Sequence, residues 1–175
     1  MDDSVTVIAG IVIPSKSPYF LGMVGVHVAV ALVCVIAGAT AMLSAKRPGR
    51  HPKAGTVYYW SLCAVWATAS VLSVVRWAEN YPLFILGLLS FGFATLGRTA
   101  LRRHWRYWAR LHIAGMGGSY IFLLIAFYVD NGRNLPLWRD LPPILYWVLP
   151  AALGLPLIVW ALLRHPLARS YNRPA

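Results

Sequence analysis

The sequence predicts an all-α integral membrane protein: a single transmembrane domain, residues 1–175, built as a bundle of five helices. Composition is the first indication, because 59% of the 175 residues are hydrophobic, only 12% are charged and the mean hydropathy is +0.61. A soluble domain carries about twice that share of charged residues. The second indication is a set of five apolar runs near the length that crosses a bilayer. Together they exclude an ordinary soluble enzyme and a disordered chain.

The predicted helices follow the apolar runs, because a span needs about 20 apolar residues. They cover approximately residues 19–45, 55–76, 81–101, 109–130 and 143–164. An apolar stretch within residues 4–14 is too short to span, so residues 1–18 are predicted to form an outer interfacial segment. Residues 165–175 are predicted to form a basic cytoplasmic tail.

Glycine and proline indicate how the last two helices are shaped. Asn131-Gly132 ends the fourth helix, and Gly132 is suited to a left-handed cap there. Pro150 and Pro156 lie within the fifth helix and should kink it, which membrane helices tolerate.

The distribution of charge predicts the orientation of the chain. It has 16 Lys and Arg against 5 Asp and Glu, a net charge of +11. Twelve of the basic residues and none of the acids lie in or beside the two loops that follow the first and third helices, and in the tail. This is the positive-inside pattern of a multi-pass protein, here of a bacterial inner membrane, with its N-terminus outside and its C-terminus in the cytoplasm. The charge therefore favours a partner bilayer with anionic headgroups, and no nucleic acid.

Two histidines are expected at one depth near the cytoplasmic face. His51 lies just before the second helix and His112 near the start of the fourth, and both helices run from inside to outside. A pair of imidazoles at one level is what a six-coordinate haem requires. The same pair, with His104 as a third ligand, would suit zinc or copper. A third interpretation needs no cofactor: interfacial histidines that bond lipid phosphates or loop carbonyls.

His27 is expected inside the membrane, about 12 Å below the outer boundary at about 1.5 Å per residue. It is therefore too far in depth from His112 to share a metal ion with it. A titratable group at this depth should face the bundle interior. It would bind a second cofactor, hydrogen-bond a quinone or relay protons. Alternatively, it is a neutral histidine bonded to a hydroxyl or carbonyl of a neighbouring helix.

Stripes of small residues on the first, second and fourth helices let neighbouring helices approach closely. They also allow two other interpretations: a small-molecule cavity between these helices, or an interface for another membrane protein. The residues expected to line the cavity, besides His27, are Thr68, Gly115, Met116 and Ser119.

Arg76 and Glu79 stand three residues apart at the outer end of the second helix. This spacing predicts an ion pair on one helix face. The alternative is an acidic–basic gate above an outward cavity.

Two segments resemble a family of bacterial multi-pass membrane proteins that is catalogued as a predicted-membrane domain of unknown function. Residues 112–121, HIAGMGGSYI, match its H-x-x-G-M-x-G-S-Y-I helix, and residues 51–55, HPKAG, match its H-x-x-x-G helix entry. The likeness extends over residues 20–131. It implies an inner-membrane helical bundle with a three-histidine pattern at His27, His51 and His112, and it implies no activity.

The leading functional hypothesis is a small membrane redox protein that binds haem b, or alternatively zinc or copper, through His51 and His112. Electron transfer would then involve a quinone or a redox partner. A small-molecule transporter and a non-catalytic assembly partner, each without a cofactor, are the alternatives. The sequence identifies no catalytic residue and leaves open both an enzymatic activity and a homo-oligomer.

Overall fold

Five long α-helices make up most of the described chain. The computed structural model describes residues 6–8, 11–13 and 17–166. The helices are α1 (Pro18–Leu43), α2 (Arg50–Val75), α3 (Trp77–Arg102), α4 (Trp108–Asn131) and α5 (Ile144–Arg164). All five are long and apolar enough to cross a membrane. The predicted helical class and the five candidate spans are therefore confirmed.

The outer faces of these helices are apolar. In the most apolar 18-residue window of α1, only 11% of the residues are buried inside the protein. Val33 and Ile36, near the middle of that helix, are 49% and 65% exposed. Water would penalise such a surface at roughly 25 cal/mol per Å², whereas lipid tails are as apolar as the side chains themselves. The surface is compatible with a polytopic membrane protein.

Two helices begin earlier than the apolar runs predict. α2 begins at Arg50 rather than at residue 55, so His51 lies in its first turn and not in the preceding loop. α3 begins at Trp77 rather than at residue 81. Pro52 does not interrupt α2, because the first amides of a helix have no intrahelical acceptor. Hydropathy finds only the apolar part of each helix, whereas backbone hydrogen bonding continues α2 into the charged residues Arg50 and Lys53.

A short antiparallel hairpin precedes α1. It consists of β1 (Thr6–Ile8) and β2 (Ile11–Ile13). No strand was predicted here, although β-branched residues such as those of TVI and IVI favour strands. The interfacial location of residues 1–18 stays a prediction. Of the predicted basic tail, residues 167–175 lie outside the described residues.

The chain divides into two units, Met1–Phe84 and Ile85–Ala175. In the first unit α1 packs against α2. Cys34 is fully buried, and its thiol donates to the carbonyl oxygen of Tyr58, 3.7 Å away. Gly38, one turn further along α1, is also buried. The small stripe predicted on the first helix thus lies at a helix contact, where small side chains let two backbones approach.

In the second unit α4 contacts both α3 and α5. Gly97 of α3 and Gly115 of α4 lie so close that a Cβ atom on Gly115 would be 2.8 Å from the Gly97 Cα atom. The hydroxyl of Ser90 donates to the carbonyl oxygen of Ser119 across the same contact, at 2.8 Å. On the other side of α4, a Cβ atom on Gly154 of α5 would meet the side chain of Ile121. The core cluster of this unit is Leu86, Ile121 and Ile125.

A 3₁₀ turn (Gly132–Asn134) follows α4 and corrects one prediction. Gly132 has a right-handed conformation, φ −53° and ψ −39°, instead of a left-handed cap. The ring of Tyr146 lies 2.9 Å from the position that a Cβ atom of Gly132 would take. Glycine is therefore needed here for space and not for a positive φ. The Tyr146 hydroxyl donates to the carbonyl oxygen of Trp138, at 2.9 Å, which holds the ring in place.

Arg76 and Glu79 form the predicted ion pair, but they belong to different elements. Arg76 follows the last residue of α2, and Glu79 lies in the first turn of α3. Two parallel bonds join them, Nη2–Oε1 at 2.9 Å and Nε–Oε2 at 3.1 Å. A carboxylate at this position also complements the positive end of the α3 dipole. The pair therefore stabilises the short turn between α2 and α3.

Candidate functional site

His51 and His112 occupy equivalent positions in two helical hairpins. His51 is the second residue of α2, and its Nδ1 atom lies 2.8 Å from the carbonyl oxygen of Ala41, in the last turn of α1. His112 is the fifth residue of α4, and its Nδ1 atom lies 3.2 Å from the carbonyl oxygen of Gly97, near the end of α3. In each hairpin the second helix thus holds a histidine against the C-terminal end of the first.

The partners of these contacts determine the tautomer of each ring. A carbonyl oxygen only accepts, so the Nδ1 atoms of His51 and His112 carry the hydrogen and donate it. In a neutral imidazole the lone pair is then on Nε2. Histidines that bind metals show this pattern, because they donate one ring N–H to a carbonyl or carboxylate and bind through the other nitrogen. In both rings Nδ1 is therefore the nitrogen that contacts a backbone carbonyl.

The carbonyl that accepts from His51 belongs to a helix end. The last four carbonyls of a helix have no intrahelical amide partner. Ala41 is one of these in α1, and its oxygen also accepts from the Lys46 ammonium at 3.0 Å. Lys46 donates in addition to the carbonyl oxygen of Met42, at 2.6 Å. Burial against this helix end lowers the pKa of the Lys46 ammonium. His51 and Lys46 thus provide donors for two of the C-terminal carbonyls of α1, those of Ala41 and Met42.

His27 lies within α1 and contacts α2. Its Nδ1 atom is 2.8 Å from the Thr68 hydroxyl oxygen. The Thr68 hydroxyl itself points at backbone carbonyls of its own helix, those of Ala64 at 2.8 Å and Val65 at 3.0 Å. The Thr68 oxygen therefore accepts the N–H of His27. This geometry matches the interpretation of a neutral histidine bonded to a hydroxyl of a neighbouring helix.

The remaining residues of the predicted cavity divide between the two units. Gly115 and Ser119 lie at the α3–α4 contact, where Ser119 is fully buried. The Ser119 hydroxyl donates to the carbonyl oxygen of Met116, at 2.8 Å. Thr68 belongs to the first unit, where it contacts His27. A single cavity lined by all four residues stays a prediction.

His104 lies in the segment between α3 and α4 and is exposed. It has a φ of 48°, and its ring stands edge-on to that of Trp108 with centroids 6.4 Å apart. Throughout residues 6–8, 11–13 and 17–166, no three His, Cys, Asp or Glu form a group that could hold a metal ion. The zinc or copper site with His104 as its third ligand stays a prediction.

No family model, no curated protein and no solved structure matches the chain. The resemblance to the bacterial membrane family of unknown function therefore stays a prediction.

Proposed function

We propose that the chain is a small redox protein of a bacterial inner membrane that binds haem b through the Nε2 atoms of His51 and His112. The observation that carries the proposal is the arrangement shared by the two residues. Each lies near the start of the second helix of a helical hairpin. A bond from Nδ1 to a backbone carbonyl holds it there, at 2.8 Å for His51 and 3.2 Å for His112. Two neutral imidazoles are the donor set of a six-coordinate b-type haem.

A two-ligand site suits these residues better than a three-ligand metal site. Haem supplies the other four donors itself, so the protein needs to present only two nitrogen atoms. When bound, haem would supply one-electron transfer, and a quinone or a second redox protein would be the partner. The protein's contribution is to fix each ring, because a carbonyl that accepts from Nδ1 sets the tautomer and the orientation of the imidazole.

His27 has a separate role in this proposal. Its Nδ1 atom donates to Thr68, inside the contact between α1 and α2. A titratable group within a span is suited to a proton or a quinone that accompanies the electron. His27 is therefore not assigned as a haem ligand.

An absorption spectrum tests the proposal directly. The full chain is purified in detergent from cells supplied with a haem precursor and measured oxidised and dithionite-reduced. We expect a Soret band that shifts on reduction, with sharp α and β bands. A colourless protein contradicts the haem assignment. Metal analysis of the same sample then decides whether the protein binds stoichiometric zinc or copper instead of haem.

Single substitutions identify the ligands. We expect His51→Ala and His112→Ala each to abolish the six-coordinate spectrum, because each removes one axial nitrogen. His27→Ala and His104→Ala are the matched controls and should keep the full haem content. Added imidazole should restore the spectrum of the first two variants, which separates loss of a ligand from loss of the fold. Full haem content in both His51→Ala and His112→Ala would show that the ligands are other residues.

A further inference from the structure

An open depression lies at the turn between α1 and α2, at the basic end of the first unit. Its volume is about 540 Å³, and a water molecule occupies only about 30 Å³. It can therefore take a phosphate group together with the atoms bonded to it. Its lining includes Arg47 and Arg50 from the turn and Leu43 from the end of α1. Charged and apolar groups thus meet at one surface site.

The backbone of the turn brings the two arginines to the same depression. Gly49 has a φ of 121°, which residues with a Cβ atom rarely adopt. No atom lies within 4 Å of the position that its Cβ would take. Glycine is therefore needed here for its positive φ and not because a side chain would clash. α2 begins at the next residue, Arg50. The chain reverses between Leu43 and Arg50, and Arg47 and Arg50 both line the depression.

Among the residues of the first unit that the structure describes, no carboxylate lies near the positive charge of this turn. In the part of the first unit that the structure describes, the sequence contains one acid, Glu79. Glu79 pairs with Arg76, at 2.9 Å, beyond the far end of α2. A helix of 26 residues is about 39 Å long at 1.5 Å per residue. That distance is several times the Debye length of about 8 Å, so Glu79 does not neutralise Arg47 or Arg50.

Two of the residues that line the depression, Arg47 and Arg50, carry guanidinium groups. The hydroxyls of Thr40 and Ser44 also belong to the lining. Each of them donates to a backbone carbonyl of α1, Thr40 to Ile36 at 2.8 Å and Ser44 to Thr40 at 2.5 Å. Guanidinium groups bind phosphate oxygens through two parallel N–H bonds. The chemistry of the lining therefore suits a phosphate.

We propose that this depression binds the phosphate of an anionic phospholipid, with Arg47 and Arg50 as its ligands. The apolar surface next to it favours a lipid over free phosphate. Leu43, in the lining, is 83% exposed, and Ile36 and Leu32 continue the same face of α1 at 65% and 53% exposed. An acyl chain attached to the bound phosphate can follow this face. The site uses neither His51 nor His112, so it stands independently of the haem proposal.

Lipid titrations on the delipidated full chain in neutral detergent test the site. The probes are phosphatidylglycerol, phosphatidylcholine and inorganic phosphate, and native mass spectrometry counts the bound lipid. Charge-assisted bonds from two arginines lead us to expect binding of phosphatidylglycerol at least about tenfold tighter than of phosphatidylcholine. The double variant Arg47→Gln with Arg50→Gln should weaken phosphatidylglycerol binding by about tenfold.

The matched control is Arg102→Gln with Arg103→Gln, which removes the same charge from another exposed basic segment. It should weaken binding by less than about twofold, since exposed charges contribute little individually. Equal losses in the two double variants would reduce the site to diffuse surface attraction and overturn the proposal. Inorganic phosphate that binds as tightly as phosphatidylglycerol would overturn the lipid assignment.

A charge-preserving pair keeps the test decisive if the glutamine variant does not fold. Arg47→Lys with Arg50→Lys retains both positive charges but loses the bidentate geometry of the guanidinium group. We expect about a threefold loss of phosphatidylglycerol affinity. Native affinity in this lysine pair would count against Arg47 and Arg50 as phosphate ligands.

Discussion

The imidazole of His27 is a polar group on an apolar helix, and the Thr68 hydroxyl provides a hydrogen-bond acceptor for it. An N–H group without an acceptor costs several kcal/mol in a membrane interior. Thr68 supplies the acceptor at 2.8 Å while directing its own hydrogen to the backbone of α2. The hydroxyl thus accepts the N–H of His27 and donates its own hydrogen at the same time. A bond of this kind between membrane helices contributes about 0.6 kcal/mol on average and up to about 1.7 kcal/mol.

Thr68→Val keeps the size of the side chain and removes the acceptor. We expect the free energy of unfolding to fall by about 1 kcal/mol, measured by denaturant unfolding in mixed micelles. Thr56→Val is the matched control, because Thr56 is exposed in the same helix, and it should change the free energy little. A double-mutant cycle with His27→Phe should recover most of the loss as coupling energy. Equal destabilisation by Thr68→Val and Thr56→Val would show that the bond contributes nothing specific.

Only part of the histidine chemistry was predictable from the sequence. The depth of His27 follows from its place in an apolar run, and so does the expectation that it needs a partner. The partners of His51 and His112 are the backbone carbonyls of Ala41 and Gly97. A backbone carbonyl has no residue type that identifies it, so no pattern could have indicated these contacts. The tautomers of both rings depend on these two contacts, so the sequence could not predict them either.

At the scale of helices, the contact between α3 and α4 depends on two glycines. A Cβ atom on Gly115 would lie 2.8 Å from the Gly97 Cα atom and 2.8 Å from the Phe93 carbonyl oxygen. Both neighbours are backbone atoms, which cannot move aside as a flexible side chain would. The two helices would therefore have to separate, and the bond from Ser90 to the Ser119 carbonyl would lengthen.

Gly115→Ala should accordingly lower the free energy of unfolding by about 1–3 kcal/mol, the usual cost of overpacking. Thermal unfolding in detergent measures it. Gly92→Ala is the matched control, because Gly92 lies on α3 with nothing within 4 Å of its Cβ position. Alanine favours a helix over glycine by up to about 1 kcal/mol, so this variant should be neutral or more stable. A Gly115→Ala protein as stable as the Gly92→Ala protein would contradict the close contact.

The number and approximate positions of the helices were predictable because hydropathy reports the hydrocarbon core directly. The residues at which the helices begin and end were less predictable. Arg50 and Lys53 lower the hydropathy of the segment before residue 55, yet both lie within α2. Composition does not reveal where backbone hydrogen bonding stops, since a helix continues into the polar interface at little cost. That difference of five residues moved His51 from a loop into a helix.

At the scale of the whole molecule, the distribution of charge predicts the orientation of the chain. Twelve of the sixteen Lys and Arg lie in or beside the segments after α1, α3 and α5, and every acid lies elsewhere. An odd number of spans requires the two termini to lie on opposite sides. The positive-inside rule then predicts the N-terminus outside. The same predicted orientation would place Arg47 and the start of α2, with His51, at the cytoplasmic face.

Cysteine labelling tests this orientation for the whole chain. In a background with Cys34→Ala and Cys63→Ala, single cysteines are introduced as Asn134→Cys, after α4, and as Arg103→Cys, after α3; both positions are exposed. We expect a membrane-impermeant maleimide to label Asn134→Cys in intact spheroplasts and Arg103→Cys only after lysis, because the basic segments should remain inside. A permeant maleimide should label both, which controls for reactivity. The reverse labelling order would place the basic segments outside, and the phosphate site and both proposed haem ligands would then face the periplasm.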